Sequence, residues 1–446
     1  MPPKICLVAP PFSGHLNPLI DLARYLVAQG CTVHFTTGEA KAVLLRELGF
    51  ACTTVLAHDP LAMERIADTP GPVSQSFRLM LGQLRQNLAL LPGLRQELRE
   101  IFAAEKPDVV LADFCAPVAG MVADEYNLPW ITTLVTPFAV ENRRGTPAYL
   151  GGWQPPRHLG HRLRDALGRA LIRASKRTME LVLARQFRAL GVRVYRPDGS
   201  EQAYSPYSIL GLGVAELELP RDWPPALRII GPLTASPELA GLPLAFAEVQ
   251  ATRMVLVTLG THLPWAKQGL LAELAPLLQA FPDVHFVVSL GEPARAGNQP
   301  EAVGANWSVY AYVPYDSYLD RFAVVVSHAG AGIVYSCLRA ARPSLVCPRD
   351  YDQFDYAARV EAAGAGLRVA SLSSAAAVAA LRTLLTSFDS APVQRLAEAV
   401  QRYRPHEACL AEINRLLPVP QPAPQTSAAP GGASGAARQP GPAAPG

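Results

Sequence analysis

Residues 4–38 have the sequence KICLVAPPFSGHLNPLIDLARYLVAQGCTVHFTTG, in which two apolar runs flank a helical repeat. The runs KICLVAP and TVHFTTG are short, apolar and bounded by turn residues, which is typical of buried strands. The segment between them has apolar residues at helical spacing, and Gly30 is suited to the position just after a helix. A strand, a helix and a second strand in this order predict a parallel sheet covered by helices.

A single histidine, His15, stands where a dinucleotide-binding domain would carry glycines for close approach of phosphate. Asn17 is able to cap a helix and Pro18 suits the first helical position, where no N–H is needed. We therefore expect the first helix to begin at Asn17 and Pro18, with His15 in the preceding turn.

The alternation continues to about residue 135 and begins again near residue 254, with strand-like runs such as MVLVTLG, VHFVVSL and AVVVSHAG. Two such series predict an α/β protein with two Rossmann-like domains that face a cleft. We expect an N-terminal domain at 1–215, a proline-rich linker at 216–250 and a C-terminal domain at 251–390. A C-terminal helix at 391–417 and a disordered tail at 418–446, poor in large apolar residues, would complete the chain.

Composition excludes several classes of protein. The 446 residues are half apolar, and 40 basic against 37 acidic residues give a net charge of +3, so the whole chain has no nucleic-acid signature. The seven cysteines are scattered without a C-x-x-C pair, which argues against zinc and against a disulfide framework. The start MPPKICLVAPPF is too short and too proline-rich for a signal peptide, and no run of about 18 apolar residues follows. We expect a cytoplasmic protein.

Residues 327–369 have the sequence SHAGAGIVYSCLRAARPSLVCPRDYDQFDYAARVEAAGAGLRV. They combine a histidine, a glycine-rich turn, a helical segment, a proline and an acidic residue followed by glutamine. This order and spacing resemble the donor-binding signature of the two-domain GT-B glycosyltransferases. The resemblance is to the family 1 group, which includes UDP-glycosyltransferases and macrolide, carotenoid and rhamnosyl transferases, and it covers about residues 4–417.

The glycine-rich turn also points to a phosphate site on physical grounds. Gly330, Ala331 and Gly332 leave backbone N–H groups uncovered at the start of a helix, where free donors and the helix dipole favour a diphosphate, and His328 would add a donor. The resemblance implies that Thr261 contacts the phosphates, that Asp352 and Gln353 bind the sugar hydroxyls, and that Tyr312 stacks on the base. The alternative is that His328 and the glycines form only a tight structural turn.

The same helix departs from the family pattern. Many relatives carry Ser or Thr five positions after the histidine and Glu eight positions after it, whereas this chain has Ile333 and Ser336. In those relatives the Glu accepts hydrogen bonds from both ribose hydroxyls of a UDP-sugar. Because a neutral hydroxyl rewards the 2′-OH less than a carboxylate does, we favour a dTDP-sugar over a UDP-sugar as the donor. Alternatively, Ser336 makes no nucleotide contact.

His15 is the candidate general base. Ligands of open α/β sheets bind beyond the carboxyl ends of the strands, where His15 follows the first strand and Asp113 ends the strand DVVLAD. An imidazole oriented by a carboxylate can take the proton of an acceptor hydroxyl as it attacks the anomeric carbon. The family's His–Asp pair matches these positions. In the alternative interpretation, His15 packs in the turn and Asp113 caps the helix after Pro117.

Three further alternatives remain open at this stage. The stretch DYD, Asp350 to Asp352, fits the D-x-D pattern with which other glycosyltransferases bind a divalent cation, but the following Gln and the upstream His favour a metal-free site without cofactor. A GT-B-like fold also occurs in non-catalytic proteins that activate a partner enzyme. An NAD-dependent oxidoreductase is disfavoured, because neither half has G-x-G-x-x-G after its first strand.

The acceptor is not encoded in a motif. Segment 157–196 contains eleven Arg or Lys against Asp165 and Glu180, a net charge of +9, and its leucines form an apolar side. A basic amphipathic helix can lie on an anionic membrane or admit a lipophilic acceptor, although most charge runs are solvated faces. We expect an inverting, metal-independent glycosyltransferase that acts on a hydroxyl of an apolar small molecule or lipid, with a peripheral contact at the inner membrane face as a further hypothesis.

Overall fold

The computed structural model describes residues 2–74, 76–234, 241–248, 253–417 and 441, which fold around one parallel and one mainly parallel sheet. The predicted tail at 418–446 lies outside the described residues, apart from Gly441. The two α/β units that were expected are therefore present, each with its own sheet.

The first sheet has the strand order β3-β2-β1-β4-β5-β6-β7, and all its strand pairs are parallel. Its strands are β1 (Lys4–Val8), β2 (Thr32–Gly38), β3 (Ala51–Val55), β4 (Val109–Asp113), β5 (Trp130–Leu134), β6 (Ile209–Gly211) and β7 (Leu227–Ile229). The central strands are fully buried, as expected for apolar runs covered by helices on both faces.

The second sheet has the order β10-β11-β9-β8-β12-β13-β14, in which only the β10–β11 pair is antiparallel. Its strands are β8 (Arg253–Thr258), β9 (Val284–Ser289), β10 (Ala302–Val303), β11 (Trp307–Tyr310), β12 (Val324–Ser327), β13 (Ser344–Val346) and β14 (Gly366–Arg368).

Helices connect the strands and cover both sheets. They are α1 (Ser13–Ala28), α2 (Glu39–Glu47), α3 (Ala62–Ala67), α4 (Phe77–Glu105), α5 (Pro117–Glu125), α6 (Leu159–Val182), α7 (Ala184–Leu190), α8 (Pro264–Lys267), α9 (Leu270–Ala280), α10 (Tyr315–Tyr318), α11 (Ala331–Arg339), α12 (Gln353–Ala362), α13 (Ala375–Thr386), α14 (Ala391–Arg402) and α15 (Pro405–Leu416). Within the described part of the chain, none of these helices combines the length and hydrophobicity that crossing a membrane requires.

The predicted start of the first helix is wrong. Helix α1 begins at Ser13, with Phe12 as the N-cap, so Pro18 lies inside the helix and His15 in its first turn. Extension of the helix places Leu16 on the same face as Leu19 and Ile20, and all three side chains are fully buried. This burial outweighs the hydrogen bond that Pro18 cannot donate. The predicted end is confirmed, since Gly30 follows the helix with a φ of 87°.

Two predicted boundaries need correction. Residues 216–250 are not only a linker, because β7 lies within them and pairs with β6 as the edge strand of the first sheet. Residues 391–417 form two helices rather than one, since Pro405 starts a new helix. Helix α15 packs its buried Cys409 and Ile413 into the core of the first domain. The chain thus crosses back to the N-terminal unit before residue 417.

The two units pack directly against each other. Phe138 and Val214 of the first unit share an apolar cluster with Val334 and Tyr356 of the second. The Tyr356 hydroxyl donates a hydrogen bond to the carbonyl of Val135 at 2.7 Å. The first unit contributes residues that follow β5 and β6, and the second contributes residues of α11 and α12.

Candidate active site

The order of strands reverses once in each sheet, and the candidate residues lie beside these reversals. In the first sheet β1 and β4 are neighbours with connections running in opposite directions, and His15 and Asp113 follow or end these strands. In the second sheet β8 and β12 form the corresponding pair, and Thr261 and His328 follow them. Crevices at such switch points are the usual ligand sites of open α/β sheets.

His15 and Asp113 are in direct contact. The Nδ1 atom of His15 lies 3.0 Å from Oδ1 of Asp113, and the two side chains are 20% and 1% exposed. Because a carboxylate only accepts, His15 donates from Nδ1, which makes Nε2 its basic nitrogen. Asp113 Oδ1 also accepts the backbone N–H of Cys115 at 2.8 Å. Helix α5 has Ala116 as its N-cap with no side-chain cap bond, so Asp113 does not cap that helix.

The surroundings of His15 strengthen it as a base. Burial alone would lower the pKa of the ring, but the Asp113 carboxylate and, to a smaller extent, Cys115 together raise the pKa well above its ordinary value of 6.5. The second carboxylate oxygen, Oδ2, is buried without a hydrogen-bond partner in the described structure. A buried carboxylate with an unpaired oxygen is stabilised when the neighbouring His15 ring carries a positive charge.

His15, Asp113 and Cys115 also place a nitrogen, an oxygen and a sulfur within 4.8 Å of one another. This spacing satisfies the geometric requirement for a metal ion. However, the Asp113 oxygen that faces His15 already accepts two N–H groups, and burial raises the pKa of the Cys115 thiol, which disfavours the thiolate that a metal needs. We therefore interpret the group as a base held by a carboxylate, with Cys115 beside it.

Aromatic rings surround the histidine. The ring centroid of Phe114 lies 5.2 Å from that of His15, and Phe12 lies 6.2 Å away on another side. Phe12 in turn meets His262 of the C-terminal unit edge to face at 4.9 Å. The space beside His15 is thus apolar on the N-terminal side and closed by the loop after β8.

The glycine-rich turn is tightly packed where it faces the His328 ring and open at Gly332. A methyl group on Gly260 or Gly330 would come within 2.8 and 2.4 Å, respectively, of the His328 ring, whereas one on Gly332 would meet nothing within 4 Å. Ala329, fully buried, has a φ of 64°, a left-handed conformation that costs energy for any residue with a Cβ. The open side at Gly332 lies at the N-terminus of α11, where backbone N–H groups are free for an anion.

His328 is held as a neutral imidazole. Burial lowers the pKa of its ring to about 4. Its Nδ1 atom is buried and lacks a hydrogen-bond partner among the residues described. A neutral ring adds no positive charge and has a single N–H, for which the Thr258 backbone carbonyl competes with a phosphate oxygen.

The acidic stretch after β13 is bound to the N-terminal unit. Asp350 is fully buried, and its carboxylate accepts the backbone N–H groups of Val73, Ser74 and Tyr351. Asp352 Oδ2 accepts the hydroxyl of Thr136 at 2.8 Å. Burial raises the pKa of Asp352, while Thr136 and His15 act in the opposite direction, so Asp352 lies within electrostatic reach of His15.

The other predicted donor residues have varied environments. Gln353 uses its side-chain oxygen to accept the N–H groups of Arg349 and Asp350, which fixes the loop and leaves its NH₂ group as the part able to bind a hydroxyl. Tyr312 and Ser336 are 6% and 2% exposed, and Thr261 is partly exposed. Their predicted contacts with base, ribose and phosphate stay predictions.

The chain is similar to known glycosyltransferases. Residues 254–397 match the glycosyltransferase family 28 C-terminal domain. The 4'-demethylrebeccamycin synthase of Lentzea aerocolonigenes is 28% identical over 390 residues, covering 82% of this chain and 87% of that protein. The zeaxanthin glucosyltransferase of Pantoea ananas is 23% identical over 387 residues, covering 86% and 88%. These matches support the placement of the chain among the family 1 GT-B glycosyltransferases.

Solved structures show the same fold. The glycosyltransferase of kitacinnamycin superposes with a TM-score of 0.69 at 22% identity, covering 94% of this chain and all of that one. The spinosyn rhamnosyltransferase solved with thymidine diphosphate gives 0.59 at 18% identity, with 92% of this chain and all of that one covered. The two-domain GT-B architecture predicted from the sequence is thereby confirmed.

Sequence reasoning missed several residues at the site of this glycosyltransferase. Cys115 and Phe114 follow β4, Thr136 follows β5, and His262 follows β8. Each lies just past the carboxyl end of a strand near a switch point, and that rule would have selected them. They were overlooked because none belongs to a recognisable motif.

Proposed function

We propose that this glycosyltransferase transfers a sugar with inversion, from a nucleotide diphosphate donor to a hydroxyl of an apolar small molecule or lipid. The observation that carries the proposal is the hydrogen bond between the buried Asp113 and His15, whose side chain keeps 20% of its surface exposed. In this mechanism Nε2 of His15 takes the proton of the acceptor hydroxyl as its oxygen attacks the anomeric carbon. The bond to the diphosphate oxygen breaks on the opposite face, and Asp113 stabilises the imidazolium that forms.

The leaving diphosphate would be stabilised without a metal. Free N–H groups at the start of α11 and the neutral His328 ring are suited to donate hydrogen bonds to its oxygens. In the D-x-D stretch, Asp350 and Asp352 already accept hydrogen bonds from the protein, so fewer of their oxygens are available to bind a metal ion. This supports the metal-free proposal. Asp352 and Gln353 are then assigned to the sugar hydroxyls, and Thr261 to the phosphates.

We favour a dTDP-linked donor. Position 336 carries a buried serine rather than a carboxylate, so α11 offers little to distinguish ribose from 2′-deoxyribose. The spinosyn rhamnosyltransferase and the glycosyltransferase VinC were solved with thymidine diphosphate, which supports the same choice. Tyr312 would stack on the base.

The acceptor is proposed to be apolar. The phenyl rings of Phe12 and Phe114 flank the His15 imidazole. They would pack against an acceptor with an aromatic, polyketide or carotenoid-like surface. Relatives named 4'-demethylrebeccamycin synthase, zeaxanthin glucosyltransferase and oleandomycin glycosyltransferase support the same class. Seven unpaired cysteines suit a reducing cytoplasm as the site of the reaction.

The deciding experiment replaces the base. His15→Ala should lower turnover by about 10²- to 10⁴-fold, the usual contribution of a positioned base, while nucleotide binding measured by calorimetry stays close to wild type. His58→Ala, at an exposed histidine outside the pair, is the matched control and should keep full activity. Near wild-type turnover in His15→Ala would contradict the assignment. Absence of sugar transfer by the wild-type protein across a panel of nucleotide sugars and acceptors would favour a non-catalytic partner protein.

A further inference from the structure

Helix α6 turns a row of leucines away from the protein. Leu159, Leu163, Leu167 and Leu171 are spaced by four residues and are 78%, 63%, 62% and 61% exposed. The opposite side of the helix, at Asp165 and Gly168, is buried against the N-terminal unit. Side chains four apart lie on one side of a helix, so the leucines form a continuous outer stripe.

The apolar surface extends beyond the four leucines. Ala166, Ala170 and Ala174 are exposed between them, and Leu181 and Val182 at the end of α6 are 76% and 54% exposed. The 24 residues of the helix span about 36 Å at 1.5 Å per residue. Contiguous apolar surface of this kind on a protein exterior usually marks an interaction site. We define this surface, from Leu159 to Val182, as the leucine face.

The basic residues of segment 157–196 divide into two groups. Five bind other parts of the chain: Arg164 pairs with Asp165, Lys176 with Glu201, and Arg169, Arg173 and Arg196 donate to backbone carbonyls. The other six are exposed: Arg157, Arg162, Arg177, Arg185, Arg188 and Arg193. Of these, Arg188 also donates to the carbonyl of Ala184 in its own helix, and Arg177 lies 5.7 Å from the centre of the Tyr195 ring. The two acids of the segment cannot balance them from outside, since Asp165 is buried and Glu180 is partly buried beside the Val194 N–H.

The exposed arginines favour one of two possible binding partners for the leucine face, a second copy of the chain or an anionic lipid surface. A second copy of the chain would bring arginines against arginines with no exposed acid of the segment to pair with them, which costs free energy. An anionic lipid surface would bind the guanidinium groups through its phosphates and accept the leucines at the level of the acyl boundary. We propose that the leucine face docks this enzyme on an anionic phospholipid membrane. The proposal goes beyond sugar transfer, whose chemistry does not require it.

The test is co-sedimentation of the full-length protein with vesicles. The wild type should bind vesicles that contain phosphatidylglycerol, bind pure phosphatidylcholine vesicles weakly, and lose affinity as salt is raised, because exposed charges are screened. Leu163→Gln/Leu167→Gln and, separately, Arg162→Glu/Arg177→Glu should each lower the partition coefficient at least about tenfold, since each removes one of the two contributions to interfacial binding. Leu61→Gln and Arg24→Glu, at exposed positions outside α6, are the matched controls and should bind like wild type.

Melting temperature and turnover show whether a variant affects membrane binding alone or also affects folding or catalysis. Melting temperatures should be unchanged in all four variants, because the substituted side chains are exposed, and turnover with a water-soluble acceptor should match the wild type. No binding to anionic vesicles, or binding that the α6 variants leave intact, would overturn the proposal. A dimer in sedimentation velocity that Leu163→Gln/Leu167→Gln abolishes would also overturn it, by identifying the leucine face as a contact between copies of the chain.

Discussion

At the scale of single residues, the environment of His15 sets its basicity through opposing effects. Burial and the positive end of α1, in whose first turn the ring lies, disfavour the imidazolium. The Asp113 carboxylate, 1% exposed and 3.0 Å away, favours it, and with the smaller contribution of Cys115 the pKa of His15 is raised. A buried carboxylate is therefore the group that most affects the protonation of the base.

This balance predicts the pH dependence of catalysis. A general base acts in its neutral form, so kcat/KM should rise with pH and reach a plateau, with a midpoint above 6.5 because the pKa of His15 is raised. Asp113→Asn removes the negative charge, so it should lower the plateau and move the midpoint to lower pH. Profiles of kcat/KM against pH for both proteins provide the measurement, and an unshifted midpoint in Asp113→Asn would mean that another group titrates.

Ser336 leads to a second prediction at this scale. Titration calorimetry should show dTDP binding at least as tightly as UDP, because a neutral hydroxyl contributes about 1 kcal/mol against about 1.5–3 for a bond to a charged group. The affinities should not change in EDTA, since Asp350 and Asp352 are already engaged by the protein. A preference for UDP above about tenfold, or 1.4 kcal/mol, would contradict the donor assignment. Loss of binding in chelator would contradict the metal-free site.

At the scale of elements, the two glycines at the start of α11 have different surroundings. Gly330 is packed against the His328 ring, so its missing side chain is required by the fold. Gly332 faces open space one position inside the helix, and nothing in the described structure explains why it lacks a side chain. A diphosphate that approaches the helix N-terminus would explain it.

Gly332→Ala tests this difference. The substitution should raise the melting temperature slightly, because alanine is favoured over glycine in helices by up to about 1 kcal/mol. Affinity for the nucleotide diphosphate should fall, since the new methyl group occupies the approach to the N–H groups. Gly93→Ala, at another helical glycine with open surroundings, is the control and should gain stability without loss of affinity. Unchanged nucleotide affinity in Gly332→Ala would place the phosphates elsewhere.

At the scale of the whole molecule, one segment of the C-terminal unit both carries predicted donor residues and docks on the N-terminal unit. Asp355 Oδ2 accepts the N–H of Tyr149, and Arg368 donates to the carbonyls of Gly151 and Gly152. Arg359 forms a buried ion pair with Glu218 at 2.9 Å and lies over the Phe138 ring. The proposed donor contacts and the observed domain contact therefore involve the same stretch of backbone.

Arg359→Ala should be strongly destabilising. Removal of one partner leaves Glu218, 4% exposed, as an unpaired buried charge, which costs about 3–5 kcal/mol. Chemical denaturation should show this loss, together with reduced turnover as the domains separate more readily. Arg295→Ala breaks an exposed pair with Glu292 and Glu301 and is the control with little expected effect. Wild-type stability in Arg359→Ala would show that the ion pair does not hold the domains together.

The sequence by itself determined the alternation of strands and helices, the two α/β units, and the approach of His15 to Asp113. These features are encoded locally or follow from the rule that the carboxyl ends of parallel strands meet at one edge. Tertiary structure decided that α1 begins at Ser13, that β7 joins the first sheet, and that α15 returns to it. It also decided that Asp350 binds backbone N–H groups and that the leucines of α6 face outward. Periodicity defines the faces of an element, but only packing against the rest of the chain decides what each face meets.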